Sequence, residues 1–122
     1  MAKHLETGKK GENLAVQFLK NKGYKILETN WRFRRSEVDI IAKDGAILIF
    51  VEVKTRSYDY FGKPASFVSA RKKVLLQDAA SAYMRKINHA WELRFDIIGI
   101  LMPSPTDITI NHFEDAFFPG LA

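Results

Sequence analysis

The longest uninterrupted apolar segment lies near the middle of the chain and ends in charged residues. Ile47–Val51 is apolar and rich in β-branched residues, which is typical of a buried central strand, and we predict that the strand continues to Arg56. Glu52 and Lys54 lie within this strand, and they must point to the same face because side chains on a strand alternate. A buried carboxylate or ammonium is costly unless it is paired or bound. This segment is therefore the expected centre of the sheet and the first candidate for chemistry.

A second apolar strand, Val38–Ala42, precedes it and contains a single acid, Asp39. The dipeptide Asp44-Gly45 predicts a two-residue hairpin turn between the strands. In that register Asp39 lies opposite Phe50, on the same face as Glu52 and about 7–8 Å diagonally from it. Two carboxylates at this spacing can bind one divalent cation. An ion pair at the end of the sheet explains either acid alone, and a three-residue turn would place Asp39 on the other face.

Two segments with helical spacing of apolar residues lie on either side of this hairpin. The first helix is predicted from Thr7 to Lys22 and is ended by Gly23, and the second is predicted from the N-cap Ser69 to about Ile87. The inward face of the second helix is predicted to carry five residues, namely Val74, Leu75, Ala79, Ala82 and Tyr83.

Glu12 lies along the edge of the apolar stripe of the first helix, so its carboxylate is either exposed at the rim or directed into a shared site. Gly8 and Gly11 each cost helix stability of about 1 kcal/mol relative to alanine. Such a cost indicates a close approach to another backbone or to a ligand, although fraying at the helix start is an equally good explanation.

Three further strands complete the expected fold. They are Tyr24–Arg32, Trp91–Met102, which Pro103-Ser104-Pro105 should end, and Asp107–Phe113. Arg94 and Asp96 share a face and are expected to pair with each other. The tail, Phe117–Pro119, is expected to cover the sheet or to contact a partner. The order α-β-β-β-α-β-β predicts an α/β fold, a mixed five-stranded sheet flanked by helices, in a single domain spanning residues 1–122.

Composition and charge narrow the class of protein. The 122 residues include no cysteine, which excludes disulfides and thiolate metal ligands and suits a reducing cytoplasm. No apolar segment is long enough for a membrane span, and the N-terminus lacks the apolar core of a signal peptide. Residues 1–35 hold nine Lys/Arg against three Glu, whereas residues 95–122 hold four acids and no Lys or Arg. A basic surface attracts polyanions, although a solvated charged face would have the same composition.

Several basic residues are candidates for nucleic-acid contacts. Arg32, Arg34 and Arg35 alternate with Trp31 and Phe33, which suits phosphate pairing and base stacking but is also typical of an amphipathic edge strand. Lys72 lies in the first turn of the second helix, where the macrodipole is unfavourable for a cation, so an anion is expected beside it. Other candidates are Arg56 at the strand end and the aromatic loop Ser57–Phe67 with Lys63, for which packing of the rings against the second helix is the alternative. Glu37 shares the face of Asp39 and is either a supporting acid of the site, a metal ligand or solvated.

The combined motifs resemble a known family. Asp39, Glu52 and Lys54 have the Asp-X(12)-Glu-X-Lys spacing of the PD-(D/E)XK nucleases. Gly11-Glu12, Ser36–Asp39, Phe50–Arg56, Phe61-Gly62 and Arg94–Asp96 together resemble the YraN family of uncharacterised bacterial proteins over nearly the whole chain. Val38 stands where the broad motif has proline, and Ser36 stands where the family generally has glycine.

This resemblance implies a restriction-endonuclease-like fold, similar to archaeal Holliday junction resolvases. It also implies that Glu12, Asp39 and Glu52 are metal-site acids and that Lys54 is the catalytic lysine. The expected activity is hydrolysis of phosphodiester bonds in DNA, including branched DNA, by an endonuclease that uses Mg²⁺ or Mn²⁺ and forms a homodimer. Hard oxygen ligands favour Mg²⁺ over Zn²⁺. The alternatives are a nucleic-acid-binding module with an inactive metal site, and a protein-interaction domain.

Overall fold

The computed structural model describes residues 2–56 and 68–117, with side chains from residue 8 onward. The architecture predicted from the sequence is confirmed: an α/β fold with two helices and a mixed five-stranded sheet in the order α-β-β-β-α-β-β. The elements are α1 (Ala2–Asn21), β1 (Lys25–Phe33), β2 (Ser36–Asp44), β3 (Ile47–Arg56), α2 (Ala70–Lys86), β4 (Leu93–Ser104) and β5 (Asp107–Phe113).

The strands lie side by side in the order β1-β2-β3-β4-β5. Neighbouring strands are antiparallel except for β3 and β4, which are parallel and are connected through α2. Parallel neighbours require such a crossover. β3 is therefore the central strand and is covered on both faces: Leu48 and Phe50 pack with α2, whereas Ile49 and Val51 pack with α1. Burial on both faces explains its continuous apolar sequence.

Each helix buries one stripe of residues against the sheet, and the helical periodicity of its apolar residues determines which stripe that is. Ala15 and Leu19 of α1 are fully buried against the sheet, as the periodicity predicted. On α2 the predicted inward face is only partly right, since Val74 is 53 % exposed. The buried stripe follows the i, i+3, i+4, i+7 spacing that begins at Leu76, and Val74 therefore lies on the other side of the helix. Its members are Leu76, Ala79, Ala80 and Tyr83.

Two expectations about chain breaks need correction. β4 does not end before Pro103 but continues to Ser104, and its pairing with β5 is irregular between Leu101 and Ser104. Proline is tolerated in a strand where no ladder hydrogen bond needs its missing N–H, as at such an irregularity. The predicted N-cap Ser69 is confirmed, because its hydroxyl accepts a hydrogen bond from the Lys72 N–H. The helix ends at Lys86 with Ile87 as its C-cap, close to the predicted end.

The β2–β3 turn has the predicted length but not the predicted position. Asp44 pairs with Ile47, so the two loop residues are Gly45 and Ala46 rather than Asp44 and Gly45. Gly45 has a φ of 60°, which glycine adopts readily and which suits the first position of a short hairpin turn. The pairing register consequently differs by two residues from the expected one, and Phe50 lies opposite Ile41, not opposite Asp39.

Asp96 is the centre of a buried polar network on β4, where it pairs with Val51 of β3. It is 0 % exposed and accepts two hydrogen bonds from Arg94, at 2.8 and 2.9 Å, so the predicted pairing is confirmed. His112 and the Asp115 N–H complete its partners at 2.7 and 2.9 Å. Burial alone would raise the pKa of Asp96, but the hydrogen bonds from His112 and Arg94 outweigh it and lower that pKa.

The end of the chain packs partly as expected. Phe117 is buried against Phe95 on the α2 face of the sheet, whereas the rest of the predicted tail segment lies outside the described residues. Neither α1 nor α2 has the length and apolar character needed to cross a bilayer.

Candidate active site

The acids predicted from the sequence line one cavity at the end of the sheet where β2 begins and β3 ends. This cavity, of about 300 Å³, is bounded by α1, β2, β3 and α2. A second cavity of about 550 Å³ lies on the α1 side and shares Gly8, Glu12 and Asp39 with the first. The first is lined by Gly8, Glu12, Asp39, Glu52, Val53, Lys54, Thr55 and Lys72.

The cavity opens where regular pairing between β2 and β3 stops. The last regular pair is Ile40 with Val51. Continuing that register places Asp39 directly opposite Glu52, closer than the diagonal position expected from the sequence. Beyond this point the Val53 N–H donates to the Asp39 carboxylate, with an N···O distance of 2.8 Å. Asp39 thus supplies the acceptor for a backbone donor of β3 at the edge of the cavity.

The alternation of side chains along β2 reverses at Asp39. Val38 and Ile41 belong to the same core cluster on the α2 face, although residues three apart on a regular strand face opposite sides. Ile40, between them, packs in the cluster on the α1 face. The reversal places Asp39 where it borders both cavities.

β1 reverses at the matching position. Glu28 and Trp31, also three residues apart, both contact Tyr83 of α2. Asn30 lies between them with a φ of 51°, in the left-handed region that asparagine adopts more readily than most residues. This backbone conformation directs the Asn30 amide to the α1 side, where it donates to both oxygens of Glu12 at 3.2 and 3.1 Å.

Glu52 is the most unusual group in the cavity. It is only 2 % exposed, and its Oε2 forms an ion pair with the Lys72 ammonium at 3.1 Å. Its Oε1 is buried and has no hydrogen-bond partner among the described residues. Burial, reinforced by the charge of Asp39, raises the pKa of Glu52 to about 7, even though Lys72 opposes the shift.

Asp39 is perturbed in the same direction. Burial raises its pKa, and the nearby Glu12 carboxylate adds to that rise, whereas the Val53 N–H opposes it. Asp39 and Glu52 therefore form a desolvated acid pair, in which negative charge is costly without a cation. Strongly perturbed acids in a cavity are typical of functional sites, although structural ion pairs also produce them.

Glu12 is positioned by the close packing of α1 against β3. A Cβ atom built on Gly11 would come within 2.0 Å of the Thr55 hydroxyl oxygen, so only glycine allows this approach. The cost of Gly11 in the helix is thus explained by a close contact with a strand. No atom of the described residues lies within 4 Å of a Cβ built on Gly8, which lines both cavities.

The two lysines of the cavity have different surroundings. Lys54 lines the cavity but forms no ion pair with any described residue. Lys72, expected only as a phosphate contact, is the lysine that pairs with Glu52. Burial would lower the pKa of Lys72, but the Glu52 carboxylate outweighs it and raises that pKa.

The other predicted basic residues lie at the same end of the sheet but outside the cavity. Arg34 and Arg35 form the exposed β1–β2 turn, and the Arg34 guanidinium lies 5.0 Å from the Phe33 ring centroid. Arg32 pairs with Glu37 at 3.2 Å, and this pair is largely exposed on the arginine side. Arg56 donates to the carbonyl of the preceding Thr55. The predicted loop Ser57–Phe67, with Lys63, lies outside the described residues.

The carboxylates of Asp39 and Glu52 suit a hard divalent cation, although three carboxylates were expected to bind it. In the described ranges no three Asp, Glu or His side chains are close enough together to hold one ion. Glu12 is instead engaged by Asn30. The buried Oε1 of Glu52, which has no partner among the described residues, and the adjacent Asp39 carboxylate are oxygen ligands of the kind that Mg²⁺ and Mn²⁺ prefer.

Two residues of the site were missed in the sequence. Asn30 was read only as part of an edge strand, although asparagine is unfavourable within a strand and its presence there was a usable signal of irregular backbone. Thr55 gave no signal, because its contact with Gly11 depends on how α1 lies on the sheet.

Comparison with known proteins gives one consistent result. The profile of "Uncharacterised protein family UPF0102" matches residues 11–100. A UPF0102 protein of Flavobacterium psychrophilum is 49% identical over 118 residues, covering 97% of this chain and 98% of the relative. UPF0102 proteins of Christiangramia forsetii and Thermodesulfovibrio yellowstonii are 48% and 45% identical, covering 97% and 93% of this chain and 98% and 97% of the relatives. The family expected from the motifs is confirmed: the chain belongs to the UPF0102, or YraN, family.

Proposed function

We propose that this protein is a metal-dependent endonuclease that hydrolyses phosphodiester bonds in DNA, with branched DNA as the first substrate class to examine. The observation that carries the proposal is the buried acid pair of Asp39 and Glu52, with the Glu52 Oε1 unpartnered among the described residues and Lys54 lining the same cavity. A structural ion pair alone would leave no reason for a second desolvated carboxylate beside the first.

Asp39 and Glu52 would hold the metal ion, and Glu12 would join them or orient a water after leaving Asn30. A bound Mg²⁺ or Mn²⁺ would supply Lewis-acid polarisation of the phosphate and acidification of water. Lys54, which forms no ion pair with a described carboxylate, is placed to stabilise the negative charge that develops on the phosphate or to orient the attacking water.

The surroundings of the cavity favour a polyanionic substrate. Arg34 and Arg35 at the β1–β2 turn, Arg56 at the end of β3 and Lys72 at the start of α2 all lie at the end of the sheet that holds the acids. Arginine and lysine in such an arrangement bind phosphates without reading sequence. A cysteine-free chain suits the cytoplasm, and a homodimer would present two such cavities to one branched substrate.

The proposal is tested by incubating the purified protein with Mg²⁺ or Mn²⁺ and linear, flapped or four-way DNA. We expect cleavage that requires the metal and falls by at least about 10²-fold in Asp39→Asn and Lys54→Met, since each variant removes a group that touches the reacting phosphate or its metal. The matched control is Asp44→Asn, on the same strand at its far, exposed end. Cleavage that persists in Asp39→Asn would contradict the proposal.

The second candidate is a nucleic-acid-binding module without turnover. It is favoured by one observation, that Lys72 forms an ion pair with Glu52 within the protein itself. Salt-sensitive DNA binding with no cleavage under any metal condition would support this second function and exclude the first.

A further inference from the structure

Lys72 occupies a position that a metal ion would also favour. Its Nζ lies 3.1 Å from Oε2 of Glu52, the only ion pair that Glu52 forms within the described residues. The Lys72 side chain is 40% exposed, so its ammonium has a route to solvent, whereas the carboxylate it neutralises is buried. The Lys72 ammonium can therefore move away into solvent, whereas the buried Glu52 carboxylate cannot.

The start of α2 gives no other reason for a cation at this position. The first turn of the helix contains no acid, and Arg71, Lys72 and Lys73 are all basic. Cations are unfavourable near the positive end of a helix dipole. The Lys72 backbone is fixed by its N–H bond to the Ser69 hydroxyl, at 3.1 Å, and the side chain reaches from there into the cavity. The ion pair with Glu52 compensates for the unfavourable interaction of the Lys72 ammonium with the helix dipole.

We propose that Lys72 is the resident counter-cation of the Asp39–Glu52 acid pair: a divalent cation displaces its ammonium from Glu52, and the freed ammonium then binds a phosphate of the substrate. The first half of this exchange concerns the protein and the metal alone, and the second half rests on the proposed function. Lys72 would thereby couple metal binding to substrate binding.

Electrostatics favours the exchange once a cation binds. A divalent ion held by Asp39 and by the Glu52 Oε1, which none of the described residues contacts through a hydrogen bond, would lie within a few ångströms of the Lys72 ammonium. Like charges at such a distance in a half-buried site repel by several kcal/mol at an effective dielectric constant of about 20. Movement of Lys72 towards solvent or towards an incoming phosphate removes that repulsion.

The first test measures Mn²⁺ binding without DNA, by electron paramagnetic resonance of the free ion, at pH 8.0 under nitrogen. Removing the competing ammonium in Lys72→Met should tighten Mn²⁺ binding by about tenfold. The matched control is Lys73→Met, since the Lys73 ammonium lies 5.6 Å from the Phe117 ring centroid rather than in the cavity. Unchanged or weaker binding in Lys72→Met, or no binding to either form, would overturn the proposal.

The second test uses the unaltered protein and follows acetylation of individual lysines by mass spectrometry. Without metal, Lys72 should react more slowly than Lys73, and Mn²⁺ should accelerate its reaction severalfold because the ammonium leaves Glu52. Asp39→Asn, which weakens metal binding, should abolish that acceleration. An unchanged Lys72 rate at saturating Mn²⁺ would also overturn the proposal. Both readouts omit DNA, so failure of the cation exchange is distinguished from failure of the nuclease assay.

Discussion

The Asp39 carboxylate accepts a hydrogen bond from the Val53 N–H at 2.8 Å, immediately past the last regular β2–β3 pair. A side chain thus satisfies a buried donor of the central strand that the neighbouring strand no longer reaches. Asp39 is also an acid with a raised pKa, so it has two opposite effects on stability. Its acceptor oxygen stabilises β3, whereas the desolvation of its negative charge destabilises the folded state.

Asn and Ala at position 39 should separate these two effects. Asp39→Asn keeps an acceptor oxygen and removes the charge, so the free energy of unfolding of the metal-free protein at pH 8 should rise by about 1 kcal/mol. Asp39→Ala leaves the Val53 N–H without its partner and should lower it by about 1–3 kcal/mol. Urea unfolding with EDTA measures both, and a less stable Asn than Ala variant would contradict this account.

Glu52 should make the metal-free protein less stable as the pH rises. Its folded pKa of about 7 lies above the ordinary value of 4.5, so between these values the folded state binds the proton more tightly and stability falls with increasing pH. Glu52→Gln mimics the protonated form, and it should gain about 2 kcal/mol over the natural protein at pH 8 but little at pH 4. The measurement is urea unfolding across this range, and an identical pH dependence in both proteins would contradict the assignment.

Gly11 should be the more restrictive of the two helix glycines. Gly11→Ala forces a Cβ against Thr55 and should cost about 1–3 kcal/mol of unfolding free energy, as overpacking does. Thr55→Ala in the same chain removes the closest atom, so the double variant should recover much of that loss. Gly8→Ala is the control, because its Cβ meets open space and alanine favours the helix by up to about 1 kcal/mol. Equal effects of the two single substitutions would be inconsistent with this packing.

The Asp96 network should be the most sensitive polar feature of the fold. Asp96→Ala leaves the largely buried Arg94 guanidinium without its carboxylate and should cost about 3–5 kcal/mol. Arg32→Ala breaks an exposed pair and should cost no more than about 1 kcal/mol. Because the pKa of Asp96 is lowered by folding, its contribution is lost only in acid, as the pH falls through that lowered value. A loss below about 1 kcal/mol in Asp96→Ala would contradict the role of the network.

The β1–β2 turn should contribute to DNA affinity through charge alone. If Arg34 and Arg35 each contact one phosphate, replacing both with alanine should reduce the slope of log K against log salt by about two for a duplex. The loss of affinity should be similar for duplexes of unrelated sequence. Fluorescence anisotropy in EDTA at several salt concentrations measures this slope, and an unchanged slope would exclude the turn from the interface.

Much of the fold followed from patterns that depend on neighbouring residues only. The strand Asp107–Phe113, the N-cap at Ser69 and the continuous apolar sequence of β3 were all identified correctly, because alternation, capping and burial on both faces have local signatures. The error at the β2–β3 turn came from assigning the loop to Asp44 and Gly45, where Asp44 in fact remains in the strand.

The geometry of the site was less predictable, for a physical reason. Strict alternation was assumed through Asp39, but the paired reversals at Asp39 and Asn30 depend on contacts with both helices. The pairing of Lys72 with Glu52 likewise depends on where α2 lies on the sheet. Such contacts join residues far apart in the sequence and leave no periodic signal in either segment.

The cavity is lined by four segments of the chain, the first near residue 8 and the last at residue 72. A ribosome releasing this chain therefore exposes the individual acids well before the pocket that brings them together. Until α2 has emerged and packed on the sheet, Glu52 lacks its Lys72 partner. Metal binding that needs all four walls of the cavity is therefore expected only after α2 is in place.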